Sequence, residues 1–510
     1  MNRRAFLAAL GAVATQQKLG IPTFNRLTGD FADEPVQITT WRFPYVQNVR
    51  PNRATIMWAT FESGFGFVQY TSDGVNFKFA PARSRFFSRS ETGYPSNIVQ
   101  YEADLAGLQP GTEYTYTASV DGQDVNAIGD TKFRTAGPGP FNFLVMGDSG
   151  WGPGVPVDGQ GLVAKLIRAE NAALLLHTGD LVYPVGSYDY YQRNYFNYYA
   201  SLMSSVPFFP SPGNHDYDVA GATPYLAIHS VPAETVPPAD RGRYYSFDWG
   251  NVHFAAIDAH FGLERAVNAN GPMLRWLDND LRTTRQFFKV VYFHYPPWAT
   301  GNNTGDIQSR WVRDYMTPIF ENNGVQVVFS GHEHSYQRAL PMRKSRFVSA
   351  DIGTNYITSG GGGAILYDVP NRDFLAIAKK EYHYLRVEVR GTRMIIHSIR
   401  QDGVEMDTFP VAPSPVFSDD PRVVPVSLSP GPVAGATIRI VGRGLAAEET
   451  FLCTPTPPNE MAGAIVTVNG RPIQLLYVSP TQVYGQIPFG IQGNITVRVT
   501  TPNGSSERSV

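Results

Sequence analysis

The sequence predicts a multidomain chain: a β-sandwich, then a layered α/β domain, then a second β-sandwich. Three observations carry this reading. The chain has 510 residues, more than one ordinary domain holds, which suggests about two to four domains. Its 48 glycines and 39 prolines, beside a charged content of only 17%, point to many short strands and tight turns. Both ends show period-two alternation, whereas the middle shows unbroken apolar runs with helical segments between some of them. An apolar content of 43% is ample for several cores. The formal charge of −2 and the lack of a long basic run give nucleic acid no electrostatic support as a partner. Cys453 is the single cysteine, so an intrachain disulfide and a thiolate metal cluster are both excluded.

Residues 1–30 read as an export signal and leader. Arg3 and Arg4 precede the apolar run Ala5–Ala14, and Ala12-Val13-Ala14 offers a small-residue cleavage site. The paired arginines resemble the twin-arginine type, a route for folded proteins that suits a metal site loaded in the cytoplasm. The expected location is the periplasm or outside the cell. No other segment reaches the ~18 apolar residues that span a bilayer, so no transmembrane anchor is expected.

Residues 37–135 contain alternating segments such as Ala54–Ala59, Phe67–Thr71 and Glu113–Val120, separated by turns at Asp73-Gly74 and Pro110-Gly111. This is the pattern of an antiparallel β-sandwich. The stretch LAGLQPGTEYTYTASVDG resembles a fibronectin type III-like strand pair. Thr135–Pro140 reads as a linker. Residues 141–408 follow as the α/β domain, with helices expected over Gly161–Asn171 and Pro272–Thr284. The Pro- and Ser-rich stretch 409–430 reads as a second linker. Residues 421–510 return to short strands with turns at Asn469-Gly470 and Asn503-Gly504, similar to an immunoglobulin-like (IPT/TIG-like) β-sandwich.

The chemistry concentrates in the middle domain. FLVMGDSG runs to Asp148, LLLHTGDLVY to Asp180 and Tyr183, FFPSPGNHD to Asn214 and His215, VVYFHYPP to His294, and VVFSGHEH to His332 and His334. Five apolar runs thus stop at metal-capable side chains. In α/β sheets ligands gather beyond the carboxyl ends of strands, which would bring these distant residues together. Gly147, Gly179, Gly213 and Gly331 each precede a functional pair and permit a sharp turn or close approach. All ten histidines lie between His177 and His397. Of these, His177, His253, His383 and His397 read as ordinary hydrogen-bonded core histidines.

These blocks, GDSG, GDLVY, GNH, VYFH and GHEH, match the five-block signature of purple acid phosphatases, within the calcineurin-like metallophosphoesterases. The resemblance covers residues 141–400, and residues 37–135 match the domain that precedes the catalytic one in plant-type members. It implies an αββα-sandwich metallophosphoesterase with two metals at its edge. Asp148, Asp180, Tyr183 and His334 would hold the first. Asp180 would bridge to the second, held also by Asn214, His294 and His332. Carboxylate and phenolate oxygens suit a hard cation such as Fe3+, and the imidazole-rich set suits Zn2+, Mn2+ or Fe2+. Two cations about 3.5–4 Å apart would neutralise a phosphate ester and acidify a bound water, whose hydroxide attacks. His215, beside Asn214, would orient the phosphate and protonate the leaving group.

The expected activity is therefore phosphate monoester hydrolysis of the acid phosphatase type. A phosphodiesterase on the same site, and a surface-binding protein with an inactive catalytic domain, are the alternatives. Weaker candidates are Arg338, for substrate or for a carboxylate partner, and Asn302 or Asn303 near the substrate. Ser359–Gly363 reads as a flexible loop near the site rather than a phosphate cradle, and the tyrosines of Tyr188–Tyr199 as a packed helix face. Plant members carry further histidines after the VxxH block. Here YPPWATGNNTGD follows His294 with none. The N-terminal sandwich is expected to pack on the catalytic domain or support a homodimer, and the C-terminal one to bind a surface or carbohydrate.

Overall fold

The computed structural model describes residues 36–125, 127–153, 157–261, 271–348 and 353–411, then shorter pieces between 437 and 509. The export signal, most of the 409–430 linker and Cys453 lie outside the described residues.

The described residues of 36–135 form antiparallel strands, with one short helix at Arg89–Thr92. They run in the order Thr40–Gln47, Arg53–Thr60, Ile98–Ala106, Lys78–Phe87, Gly66–Thr71, Glu113–Val120 and Gln123–Asp124, with Lys132–Arg134 also on Glu113–Val120. Lys78–Phe87 turns the corner. Its first half pairs with Gly66–Thr71 and its second half with Ile98–Ala106, and the change falls at Pro81 and Ala82. Proline lacks the N–H that a continuous ladder would use there. Alternate residues such as Ile56, Trp58, Val68, Tyr101 and Tyr116 fill the core, and Trp58 stacks on Tyr101 at 5.1 Å. The expected linker at Thr135 is a tight join instead. Thr135 and Ala136 are buried, and the Thr135 hydroxyl donates to the Gln109 carbonyl at 2.6 Å.

Two sheets lie face to face in the middle domain. One has six strands in the order Phe208–Pro210, Leu174–His177, Phe141–Met146, His383–Arg390, Arg393–Arg400 and Glu405–Val411. The other has seven, in the order Tyr245–Trp249, Val252–Ala256, Phe288–Tyr292, Val327–Ser330, Asn355–Ser359, Tyr336–Ala339 and Leu375–Lys379. The first three strands of the six-stranded sheet are mutually parallel, as are Val252–Ala256, Phe288–Tyr292, Val327–Ser330 and Asn355–Ser359. Parallel strands covered on both faces need apolar residues at every position, which explains the unbroken runs. Leu174 and Leu176 face the layer between the sheets, with Phe143, Phe254 and Phe329. Leu175 faces the opposite way, onto the helix Gly159–Ile167 and the Tyr188–Met203 region. Val291 and Val328 likewise face the helix Pro272–Thr283. The layers are therefore helix, sheet, sheet, helix.

The helices are shorter than expected. The first begins at Gly159, where the Asp158 side chain caps it by accepting the Gly161 N–H at 2.8 Å, and ends at Ile167 rather than near Asn171. The second ends at Thr283. The domain itself extends to Val411, because Glu405–Val411 is its edge strand rather than linker. Among the described residues, no helix is long and apolar enough to cross a membrane.

Two antiparallel sheets enclose the C-terminal core of Ile438, Ile440, Val466, Leu475, Val483 and Val497. Asn469 and Gly470 both take positive φ, 49° and 76°, as the hairpin joining Ala464–Val468 to Arg471–Pro472 requires.

His253 is more than a neutral core histidine. Its two ring nitrogens meet Asp248 at 2.7 Å and Asp280 at 2.8 Å, joining its strand to the helix Pro272–Thr283. Burial opposes the charge, but Asp280 and Asp248 outweigh it and push the imidazole up to about 10. In the unfolded chain the same group loses its proton near 6.5. Its stabilisation is therefore full below about pH 6.5 and lost as pH rises through about 10. Urea unfolding of the unmodified chain and His253→Gln is expected to show a stability gap near pH 6 that closes toward pH 10.

Candidate metal centre

All eight singled-out side chains come together where the two sheets' parallel strands end. Asp148, Asp180, Tyr183, Asn214 and His215 follow strands of the six-stranded sheet, and His294, His332 and His334 follow strands of the seven-stranded one. The six donors other than Asn214 are buried, and Asn214 and His215 are half-buried.

The donor atoms form two groups. Tyr183 Oη lies 3.2 Å from Asp148 Oδ1, 3.0 Å from Asp180 Oδ2 and 3.0 Å from His334 Nε2. His294 Nε2 lies 3.0 Å from Asn214 Oδ1, 3.1 Å from His332 Nδ1 and 3.3 Å from Asp180 Oδ2. Asp180 belongs to both. Donors bound to one cation at about 2.0–2.2 Å stand about 3 Å from their neighbours, the spacing seen here.

The imidazoles are oriented for such a cation. His294 Nδ1 donates to the Thr178 carbonyl at 3.0 Å, His332 Nε2 to Asp306 Oδ2 at 3.0 Å, and His334 Nδ1 to the Ile365 carbonyl at 2.7 Å. Each outer partner is an acceptor, so the outer nitrogen carries the hydrogen and the inner one a lone pair. Lone pairs of two imidazoles, a carboxylate and an amide oxygen then face one another. A cation placed between them would relieve that repulsion, so the residues fit a metal ion. Burial lowers His294, but Asp180 outweighs it and pushes the imidazole up to about 9. Burial raises Asp180, yet His294 and then His215 and His332 hold it below the usual carboxylate range. Burial, then Asp148 and Asp180, raise the Tyr183 phenol well above its usual value, an effect a bound cation would reverse.

Backbone strain collects at the same place. Asp148, Asp180 and His332 have φ of 55°, 51° and 71°, a region that costs an L-residue about 1–2 kcal/mol. The carboxylates hold it. Both oxygens of Asp148 accept the His332 N–H at 3.0 Å, tying one sheet to the other, and Asp180 Oδ1 accepts the His215 N–H at 2.9 Å. Gly213 is required by close approach, because a Cβ there would sit 2.2 Å from Asp180 Oδ1 and 2.4 Å from its nitrogen.

Supporting residues went unread in the sequence. Asp216 accepts the N–H of Gly213 at 2.7 Å and the hydroxyl of Tyr191 at 2.6 Å, and burial, then Asp180, push it up to about 7. Its position inside GNHD was the available signal. Glu333 accepts the N–H groups of Asn302 and Asn303 at 3.0 and 2.6 Å, fixing the loop that carries Asp306. Asn303 also donates to the His332 carbonyl at 2.8 Å.

Several expectations resolve differently. Ser359–Gly363 is no flexible loop. A Cβ on Gly362 would meet the Gly147 carbonyl at 2.4 Å and one on Gly363 the Ser149 carbonyl at 2.3 Å, so this run packs directly on the backbone beside Asp148. Arg338 pairs with Asp407 through two bonds, of 2.7 and 3.1 Å, rather than with substrate. Tyr191, Tyr195 and Tyr199 form a fully buried helix face, as expected. His177 and His383 are core histidines bonded to Ser149 and Ser359. His397 instead forms a half-buried pair with Glu405 at 2.8 Å.

Residues 141–336 match the family model of calcineurin-like phosphoesterases. The chain carries a calcineurin-like metallophosphoesterase domain. An uncharacterized protein of Mycobacterium tuberculosis is 27% identical over 356 residues, 60% of this chain and 64% of that protein. The chain thus spans somewhat under two thirds of that relative's length. Purple acid phosphatase 21 of Arabidopsis thaliana is 25% identical over 290 residues, 55% of this chain and 60% of that protein. Among solved structures, a purple acid phosphatase from yellow lupin seeds superposes with a TM-score of 0.64 at 18% identity. That match covers 72% of this chain and 74% of the lupin one. It shows that the matched part of this chain shares the lupin fold.

Asp306→Ala removes the acceptor that fixes His332 in its inward-lone-pair form. Calorimetric titration of divalent metal is expected to show about a 10–100-fold loss of affinity at the His294–His332 group.

Proposed function

We propose that this metallophosphoesterase is an exported, dimetal phosphomonoesterase of the acid phosphatase type. The observation that carries the reading is the pair of donor groups sharing Asp180, with all three imidazoles held lone pair inward. Asp148, Asp180, Tyr183 and His334 would hold Fe3+, because phenolate and carboxylate oxygens are hard donors. Asp180, Asn214, His294 and His332 would hold Zn2+, Mn2+ or Fe2+. When bound, two such cations neutralise a phosphate ester and lower the pKa of water.

The chain's own contribution at the ester is His215. Its ring lies 4.5 Å from that of Tyr183, above the first donor group. Nδ1 donates to the Pro184 carbonyl at 2.7 Å and to Asp218 Oδ2 at 3.0 Å. That leaves Nε2 to meet the ester, where it would orient the phosphate and deliver a proton to the departing alkoxide. Residues 1–30, with Arg3 and Arg4 before an apolar run, support export.

The test is hydrolysis of an aryl phosphate monoester and the matching diester by the metal-replete protein. Faster monoester turnover, abolished in Asp180→Ala, is expected. A preference for the diester would reassign the chain as a phosphodiesterase. Failure on both esters with two metals bound would sink the reading in favour of a binding protein. His215→Ala is expected to lower kcat about 10²–10⁴-fold. Tyr183→Phe should abolish the visible charge-transfer band of the iron-loaded protein, measured by absorption spectroscopy.

A further inference from the structure

Two buried rings of the first donor group are each covered by a more exposed ring. Trp151, half-buried, lies 5.2 Å from Tyr183. Tyr367, also half-buried, stacks on His334 at 4.1 Å with its plane tilted by only 13°, and its N–H donates to the His334 carbonyl at 3.0 Å. Two residues before Tyr367, Ile365 gives its carbonyl to His334 Nδ1 and leaves its own side chain 48% exposed. The donors beneath are almost inaccessible, so these three side chains form the more exposed wall on the Tyr183–His334 side of the site. The wall is apolar and largely aromatic. Among the described residues, no lysine or arginine bonds or stacks against any of the eight site residues, whereas Asp218 and Asp306 bring partly exposed carboxylates.

We infer that the site selects phosphate esters of uncharged, apolar and preferably aromatic alcohols, with Trp151 and Tyr367 as the specificity-determining side chains. The inference rests on the phosphoesterase reading above. An aromatic alcohol gains both ring contact and apolar burial against this wall. A polyphosphorylated alcohol gains neither, and it carries extra negative charge toward Asp218 and Asp306.

The experiment compares 2-phenylethyl phosphate with ethyl phosphate. Their alcohols leave with similar intrinsic ease, so the ratio of the two kcat/KM values reports the wall rather than the leaving group. The metal-replete protein is expected to favour the phenylethyl ester by about tenfold. Trp151→Ala and Tyr367→Leu should each lower that ratio at least about threefold, and Tyr367→Phe, which keeps the ring, should retain it. A ratio near one in the unmodified protein, or an unchanged ratio in both ring-deleting variants, overturns the inference. If neither ester is hydrolysed, the aryl monoester assay above decides the phosphatase reading separately. Calorimetric binding of benzylphosphonate and methylphosphonate to the metal-loaded protein then decides. Tighter binding of the benzyl compound, lost in the ring-deleting variants, upholds the wall, and equal binding overturns it.

Discussion

Electron-rich donor atoms about 3 Å apart repel one another, and the middle domain is organised to hold that arrangement. Asp180 is the common member of both donor groups, so its position sets the rest. Its own N–H and carboxylate leave room only for a glycine at 213. Its Oδ1 accepts from His215, and its Oδ2 faces Tyr183 and His294. Gly213 is in turn held by Asp216, which reaches back to Tyr191 in the tyrosine-rich helical region. A buried aromatic layer is thereby linked to the placement of one carboxylate.

The strain at Asp148, Asp180 and His332 follows from the same demand. A strand must stop, turn sharply and aim a side chain back across the gap between two sheets. Left-handed backbone does this in one residue. The close-packed layer of Phe143, Phe254 and Phe329 beneath keeps the two sheet edges in register, so the turns cannot relax by separating. The glycine run at 360–363 closes the remaining side by lying directly on the backbone next to Asp148. Rigidity here comes from packing, and the polar network only points the side chains.

Much of this was legible in the sequence because the donors sit where patterns break. Asp148, Asp180, Asn214, His294, His332 and His334 each end an apolar run, and the runs themselves are the parallel strands. What could not be read were partners distant along the chain. Asp306 serves His332 across 26 residues, and Asp280 serves His253 across 27. Nothing local distinguishes such carboxylates from solvated ones. The glycine run misled for a related reason. Glycine signals either backbone freedom or close approach, and only the neighbouring carbonyls tell which. The helix starting at Gly159 was placed late because its cap, Asp158, precedes two glycines that depress helix propensity.

The C-terminal sandwich touches the middle domain through Tyr484, whose ring meets Phe287 edge-on at 4.1 Å. Phe287 immediately precedes the strand Phe288–Tyr292, and His294 follows it. The attachment point and the metal end are thus separated by the length of that strand, roughly 20 Å at about 3.3 Å per residue. Any force or partner acting on the C-terminal sheets through Tyr484 is therefore applied at the end of that strand opposite His294.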